Sequence, residues 1–271
     1  LRANPGVRIE GDNKKIKVEG GLDFAGSKDS KIIIKNTTIQ PAGDPDDPTY
    51  TIKLSHLDIS FDDHRYINDS TKSITISSRE RILTQDFSLT NSSLKNIYIR
   101  SEFAQGNITL DNNNFVNSRF FSEYDGDDPT NSWKQGMVPS ATLTATNNTF
   151  ENAYYQGYPS LRMQYHKFNT ITINNNQFKN NSNGINIAPH YVLHYGPTYV
   201  TKPADVEIKN NTFTNDRKGV LIKAGRFDVT GNNFIESPGI RYEAVETTSN
   251  QNSQKGFFDY KINNNYFIKQ K

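Results

Sequence analysis

The chain has 271 residues, a net charge of +2 and no cysteine. The lack of cysteine excludes disulfide scaffolds, thiol catalysis and zinc–thiolate sites. The balanced charge argues against nucleic acid or an anionic membrane as a partner, and no apolar run approaches the roughly 18 residues of a membrane span. Aromatic residues make up 11% of the sequence, too many for a disordered chain, so the chain is expected to fold.

One spacing recurs along the sequence. Two apolar residues separated by one position are followed two positions later by asparagine or a substitute, and three positions further by another apolar residue, most often phenylalanine. Many of the 33 asparagines belong to this motif. In chain order, its nine copies begin at Ile32, Ile52, Phe87, Ile108, Leu143, Ile171, Val206, Phe227 and Tyr260 and end at Ile39, Ile59, Leu94, Phe115, Phe150, Phe178, Phe213, Phe234 and Phe267.

The repeat predicts an all-β fold, a right-handed single-stranded parallel β-helix of nine to ten coils with lateral loop insertions. Alternating apolar residues indicate short strands with one buried face, and strands this short are stable only when each pairs with its equivalent in the next coil. Asparagine tolerates the left-handed backbone of a sharp corner, where its amide is expected to bond to its own copy one coil away. Residues 7–11, 16–18 and 31–34 are predicted to form the first coils, and residues 1–271 a single domain.

Function in a solenoid is expected on its lateral loops, because the stacked core is repetitive. The three consecutive insertions between the copies ending at Phe115 and Phe213 are rich in tyrosine and histidine. The composition of these loops predicts a groove that binds a sugar chain. Aromatic rings would pack on the faces of the sugars, and basic groups would select uronate, sialate or sulfate. Alternatively, the tyrosines only cover the coil edges. The candidate ligand-binding residues are Trp133, Tyr154, Tyr155, Tyr158, Arg162, Tyr165, His166, Lys167, His190, Tyr191, His194, Tyr195, Tyr199 and Lys202.

Two acidic loops are weaker candidates for calcium, which prefers carboxylate oxygens. Neither has the spacing of an EF-hand loop, and solvated turns rich in aspartate and proline are commoner, so no cofactor and no metal site is predicted. The carboxylates concerned are Asp44, Asp46 and Asp47 in the first loop and Asp125, Asp127 and Asp128 in the second.

The corner asparagine followed by an inward phenylalanine, over residues 30–268, resembles the pectate lyase-like superfamily of parallel β-helices. Residues 2–11 followed by 31–39 look like the pectate lyase-like adhesive domains of lactobacilli and related Gram-positive bacteria, which include serine-rich repeat adhesins. The resemblance implies a monomeric fragment of a larger surface protein, secreted and held at the cell wall or cell surface by parts outside this chain. It also implies attachment to polysaccharides or host glycoproteins, in some members with pH-dependent binding.

The leading hypothesis is therefore the ligand-binding region of a bacterial surface adhesin, without catalytic residues. If binding depends on pH, His166, His190 and His194 are the titratable candidates. A polysaccharide lyase or depolymerase acting on a uronate-containing polymer is the enzymatic alternative, and a phage tail or baseplate component is the third. The resemblance carries over no lyase residues, because no strand in the sequence places carboxylates at successive outward positions beside an arginine.

Overall fold

The computed structural model describes residues 1–42, 51–62, 73–76, 86–102, 107–123, 141–154, 159–164, 168–188, 205–223, 225–243 and 258–269. Within these ranges the chain forms only strands and turns. The same ranges contain no helix long and apolar enough to cross a membrane. The strand pairs are parallel, and strands of one coil pair with their equivalents in the next. The predicted right-handed parallel β-helix is therefore confirmed.

Each coil contributes strands to three columns that run along the solenoid. The first column is a sheet of ten strands, in agreement with the predicted nine to ten coils. Its members are β1 (Arg2–Ala3), β3 (Leu22–Ala25), β5 (Ile52–Ser55), β8 (Phe87–Thr90), β11 (Ile108–Asp111), β14 (Ala141–Thr146), β17 (Phe168–Asn174), β20 (Asp205–Lys209), β23 (Gly225–Thr230) and β26 (Phe258–Asn263).

The second and third columns belong to one 17-stranded sheet, because the long strands β2 (Arg8–Glu19) and β4 (Ile32–Ala42) run through both. The second column continues with β6 (Leu57–Ser60), β9 (Ser93–Lys95), β12 (Asn114–Val116), β15 (Thr149–Glu151), β18 (Gln177–Lys179), β21 (Thr212–Thr214), β24 (Asn233–Ile235) and β27 (Tyr266–Ile268). The third column continues with β7 (Ser73–Ile76), β10 (Tyr98–Glu102), β13 (Arg119–Glu123), β16 (Pro159–Gln164), β19 (Asn183–Ala188), β22 (Val220–Lys223) and β25 (Ile240–Glu243).

The last residue of the motif forms an aromatic file inside the second column. Neighbouring rings are nearly parallel, with centroids 4.6 to 5.1 Å apart, a separation that follows the strand spacing. Offset stacking at this distance adds to the free energy gained by burying each ring. The file confirms the predicted inward orientation, and it consists of Phe115, Phe150, Phe178, Phe213, Phe234 and Phe267.

Two corners turn each coil, and asparagine with a positive φ angle dominates both. The first corner, between the first and second columns, is the one that the motif predicted, and its asparagines are Asn91, Asn112, Asn147, Asn175, Asn210 and Asn264. The second corner, between the second and third columns, was not predicted, although asparagine recurs five residues after the first set, at Asn96, Asn117, Asn152, Asn180 and Asn215. Short polar side chains accept this backbone at low cost.

A ladder of buried amides runs along the first corner, one residue after each left-handed position. Asn176 illustrates it: its Oδ1 accepts the backbone N–H of Asn148 at 2.9 Å, and its Nδ2 donates to the carbonyl of Ala145 at 2.9 Å. This first-corner ladder comprises Asn113, Asn148, Asn176, Asn211, Asn232 and Asn265.

The predicted amide bond between left-handed asparagines is only partly correct. Asn112 donates to Asn91 at 2.7 Å, but Asn147 donates instead to Asp111. The regular amide ladder is formed by the next residue, because only that side chain points into the coil.

One of the nine motif copies was assigned to the wrong strands. Ile34 pairs with Ile59 and therefore belongs to the file of the second column, whereas Ile39 pairs with Ile16 and Ile74 in the third column. The first-column pair of that coil is Leu22 and Phe24, which the motif missed. The error arises because both columns alternate apolar residues and both corners accept a left-handed asparagine.

The last described coil leaves its inward side chains exposed. Tyr260, Ile262 and Phe267 are 63%, 46% and 49% exposed, whereas Phe178 in the middle of the same file is 1% exposed. Burial along the file therefore differs sharply between chemically identical side chains, and this difference provides an internal control for the energy of stacking.

Phe178→Ala should lower the free energy of unfolding by about 3–5 kcal/mol, since it removes a fully buried ring with aromatic neighbours on both faces. Phe267→Ala should cost less than half as much, because one face of that ring is open. Urea unfolding followed by circular dichroism measures both. Equal losses in the two variants would contradict the stacking argument.

Glu236→Asn should raise the free energy of unfolding by about 0.5–1 kcal/mol. Glu236 has a φ of 51° at a second-corner position where most other coils have asparagine. The left-handed conformation costs more free energy for glutamate than for asparagine. Its ion pair with Lys269, at 3.9 Å between exposed side chains, contributes little. Thermal unfolding at two salt concentrations separates the two effects, and a destabilised variant would refute the expectation.

Candidate functional site

Three of the segments predicted to line a groove follow strands that end side by side. Glu123, Gln164 and Ala188 are the last residues of β13, β16 and β19, and they are register partners across the third column. Parallel strands lie about 4.8 Å apart, so the three strand ends fit within about 10 Å. The strand register thus places the starts of these three segments at equivalent points of neighbouring coils.

A fourth segment enters from the opposite edge of the same column. Tyr154 follows β15 at the second corner and is 57% exposed, ahead of Pro159, where β16 begins. Strands of up to six residues give the third column a width of about 20 Å. Described residues that adjoin the predicted loop segments therefore lie at both edges of the third column rather than at a single edge.

Of the fourteen predicted ligand-binding residues, the structure describes Tyr154 and Arg162. The calcium candidates Asp44, Asp46, Asp47, Asp125, Asp127 and Asp128 lie outside the described residues, as do the other twelve groove candidates: Trp133, Tyr155, Tyr158, Tyr165, His166, Lys167, His190, Tyr191, His194, Tyr195, Tyr199 and Lys202.

Arg162 lies on the outward face of the third column. Its neighbours Leu161 and Met163 are fully buried in the coil interior, and alternation along a strand directs the residue between them outward. The same alternation directs Phe121 outward between Phe120 and Ser122. Phe121 and Arg162 are register partners, so they lie side by side on this face.

Four outward side chains pack into an aromatic–guanidinium cluster, defined as Tyr98, Arg119, Phe121 and Arg162. The Cζ atom of Arg119 lies 4.2 Å from the centre of the Tyr98 ring, and that of Arg162 lies 4.9 Å from the centre of the Phe121 ring. The two rings are 5.7 Å apart at an angle of 39°. Tyr98, Arg119 and Phe121 are each 6% exposed although they project away from the coil interior.

The cluster combines the two chemistries that acidic sugars require. A guanidinium lying flat on a ring gains cation–π attraction and keeps its N–H groups in the plane that a carboxylate or sulfate approaches. Aromatic rings pack against the apolar faces of sugars. The four side chains stand on paired strands, so their spacing is fixed by the sheet rather than by a loop.

The same outward row continues beyond the cluster. Asn186 is the register partner of Arg162, Leu221 follows it, and Arg241 follows Leu221. The Oδ1 atom of Asn186 is buried and accepts no hydrogen bond from the described part of the chain. The row therefore offers guanidinium, amide and apolar groups in sequence along the solenoid axis.

The sequence analysis selected Arg162 but missed Tyr98, Arg119 and Phe121. A signal was present, because Tyr98 and Phe121 each precede or follow a buried apolar residue in an alternating strand. Placing those strands in the third column would have brought them beside Arg162. The repeat motif covers only the first two columns, so the sequence did not assign these residues to one face.

The outward face of the first column carries charges of a different kind, already paired with one another. Lys209 contacts Glu207 at 2.9 Å and Asp228 at 3.0 Å, and Arg226 pairs with Asp205. The hydrogen bond to Glu207, with a second to Asp228, raises the pKa of Lys209. A hydrogen bond from Thr230 is the main cause that lowers the pKa of Asp228. The charges on this face therefore compensate each other.

Within the described ranges, no group of three histidine, aspartate or glutamate side chains is placed to hold a metal ion. No family model, no curated protein and no solved structure matches this chain with statistical significance. The geometry of the chain itself is therefore the basis for any functional proposal.

The stacking of Arg119 on Tyr98 should appear as a coupling energy of about 0.5–2 kcal/mol in a double-mutant cycle with Tyr98→Leu and Arg119→Met. Urea unfolding of the four proteins gives the value. As a control, Tyr98→Leu combined with Arg226→Met should be additive within about 0.5 kcal/mol, because Arg226 lies in the first column. A coupling near zero for the stacked pair would contradict the assigned geometry.

Proposed function

We propose that this chain is a carbohydrate-binding region of a bacterial surface adhesin and that it binds acidic polysaccharide, or acidic sugars of a host glycoprotein, on the outward face of the third column. The observation that carries the proposal is the aromatic–guanidinium cluster on that face. The resemblance to the adhesive domains of Gram-positive surface proteins supports the adhesin role and a location at the cell surface, anchored through parts outside this chain.

The position of the cluster supports a groove. Its residues stand on β10, β13 and β16, and β13 and β16 end where predicted ligand-binding segments begin. Tyr154 lies at the other edge of the same column. Arg162 is the half-buried member of the cluster, so a polymer crossing this face would meet its guanidinium, which the buried Tyr98, Arg119 and Phe121 hold in place, as an orienting polar group in a binding site requires.

The two guanidinium groups make an anionic ligand the best fit. Arginine recognises carboxylates in a planar, bidentate manner that lysine does not reproduce. A neutral glycan would use the rings but gain little from Arg119 and Arg162. The proposal is thus specific to sugars that carry carboxylate or sulfate groups.

Arg162→Ala should lower the affinity for polygalacturonate at least tenfold, and Arg162→Lys should recover only part of it because the planar contact is lost. Titration calorimetry at two salt concentrations measures the affinity and its electrostatic share. Tyr155→Ala and Tyr195→Ala test the predicted loop residues in the same assay. A glycan array with the intact protein identifies the sugar if polygalacturonate is not bound.

Arg226→Ala is the matched control, since Arg226 is an arginine on the outward face of a different column, and its binding should stay within about twofold of the parent. Unchanged binding in both Arg162 variants would remove the site assignment. Ultraviolet absorbance of an unsaturated uronate product, followed in the same mixtures, distinguishes binding from lyase activity. Product formation would replace the adhesin proposal with an enzyme.

A further inference from the structure

Among the described residues, one carboxyl group is buried at the second corner. Asp216 follows the left-handed Asn215 and is 2% exposed. Its Oδ1 atom accepts the backbone N–H of Asn181 at 2.7 Å, while its Oδ2 atom, also buried, has no hydrogen-bond partner among the described residues. An ionised carboxylate in such a place would carry a heavy desolvation cost.

Two other coils show how a polar side chain is bonded at this position. Asn181 accepts the backbone N–H of Ala153 at 2.9 Å and donates its Nδ2 to the carbonyl of Phe150 at 3.0 Å. Ser118 accepts the N–H of Ile97 at 3.0 Å, and its hydroxyl lies 2.9 Å from the carbonyl of Val116 and 3.2 Å from that of Leu94. Each side chain thus accepts one hydrogen bond and donates another to a backbone carbonyl of the second column.

Asp216 occupies this place in its own coil, where the equivalent carbonyl is that of Phe178. An aspartic acid that carries its proton on Oδ2 has one acceptor and one donor arranged as in an asparagine side chain. It can therefore bond to the backbone in the way that Asn181 does. An ionised aspartate has no proton to donate to that carbonyl.

We propose that Asp216 is a pH-sensitive element of the solenoid, protonated when the coil is intact and destabilising the second corner around residues 214–219 when it ionises. The inference does not depend on the ligand-binding proposal. It concerns the coil that leads into β22, whose Leu221 belongs to the outward row of the third column.

The charged groups around Asp216 do not offset its charge. Arg217 and Lys218 follow it and are exposed, and Lys179 of the preceding coil pairs with Glu151. Glu236 of the next coil lies near Lys269. Burial is the main cause that raises the pKa of Asp216, to about 7, and the hydrogen bonds from Asn181 oppose it only in part.

The direction of the pH effect follows from proton linkage. In the unfolded chain Asp216 ionises near pH 3.8, so between about pH 4 and 7 unfolding releases a proton that the folded protein holds. The stabilisation is complete below pH 4, decreases as the pH rises, and is lost once the folded group ionises. The stability that Asp216 contributes thus falls as the pH rises, whereas the stability contributed by an ion-paired carboxylate increases.

Asp216→Asn tests the proposal, because asparagine has the shape of the protonated acid. Across pH 4 to 7, the ratio of the unfolding equilibrium constants, parent over Asp216→Asn, should rise about tenfold per pH unit and then level off. Urea unfolding at each pH provides these constants. Asp58→Asn is the matched control, since Asp58 is an exposed strand carboxyl, and its ratio should stay nearly constant. A constant ratio for Asp216→Asn would overturn the proposal.

A direct titration keeps the test valid if the variant does not fold. The carboxyl carbon of Asp216 in the unaltered protein, followed by carbon NMR, should titrate near pH 7. A midpoint near pH 4, as in the unfolded chain, would overturn the proposal. The backbone amide of Asn181, which donates to Asp216, should lose protection from hydrogen exchange above pH 7 when compared with the Asp216→Asn protein at the same pH.

Discussion

The fold depends on satisfying the backbone where each coil turns. At a corner the chain leaves the parallel sheet, and its N–H and C=O groups would be buried without partners, at a cost of about 1–3 kcal/mol each. The first-corner ladder removes this cost: one asparagine side chain accepts an N–H from the preceding coil and donates to a carbonyl of that coil. Because each coil of the ladder bonds to the coil before it, the ladder fixes coil spacing and register together from Asn113 to Asn265.

The aromatic file is adapted to the spacing that the ladder sets. A Cβ atom added at Gly184 would come within 2.8 Å of the Gly219 carbonyl oxygen and 2.9 Å of the Phe213 ring, and one added at Gly219 within 2.6 Å of the Gly239 carbonyl oxygen and 2.9 Å of the Phe234 ring. Both glycines are thus required by the close approach of the next coil's backbone and of the rings. Interior positions of the solenoid are constrained by their neighbours on every side, which leaves functional variation to the outward faces.

The two proposals concern departures from this regularity. Outward positions of the first column carry compensated charges, whereas those of the third column carry guanidinium groups stacked on rings. Asp216 is a departure in the interior, because a carboxyl group stands at a second-corner position where Asn181 and Ser118 donate a hydrogen bond to a backbone carbonyl. Each departure stands on paired strands or a tight corner, so its effect can be measured against equivalent coils of the same chain.

The sequence by itself determined the fold class, the number of coils and the inward file, because the alternation of apolar residues and the recurrent asparagine report on local backbone and burial. It also directed attention to Arg162. It did not distinguish the two corners in the first coils, so Ile39 was placed in the wrong column. Only the tertiary structure brought Tyr98, Arg119 and Phe121 beside Arg162 and left the Oδ2 atom of Asp216 without a hydrogen-bond partner among the described residues, because these relations depend on which residues of different coils become neighbours. Insertions of unequal length hide that register from a reading along the chain.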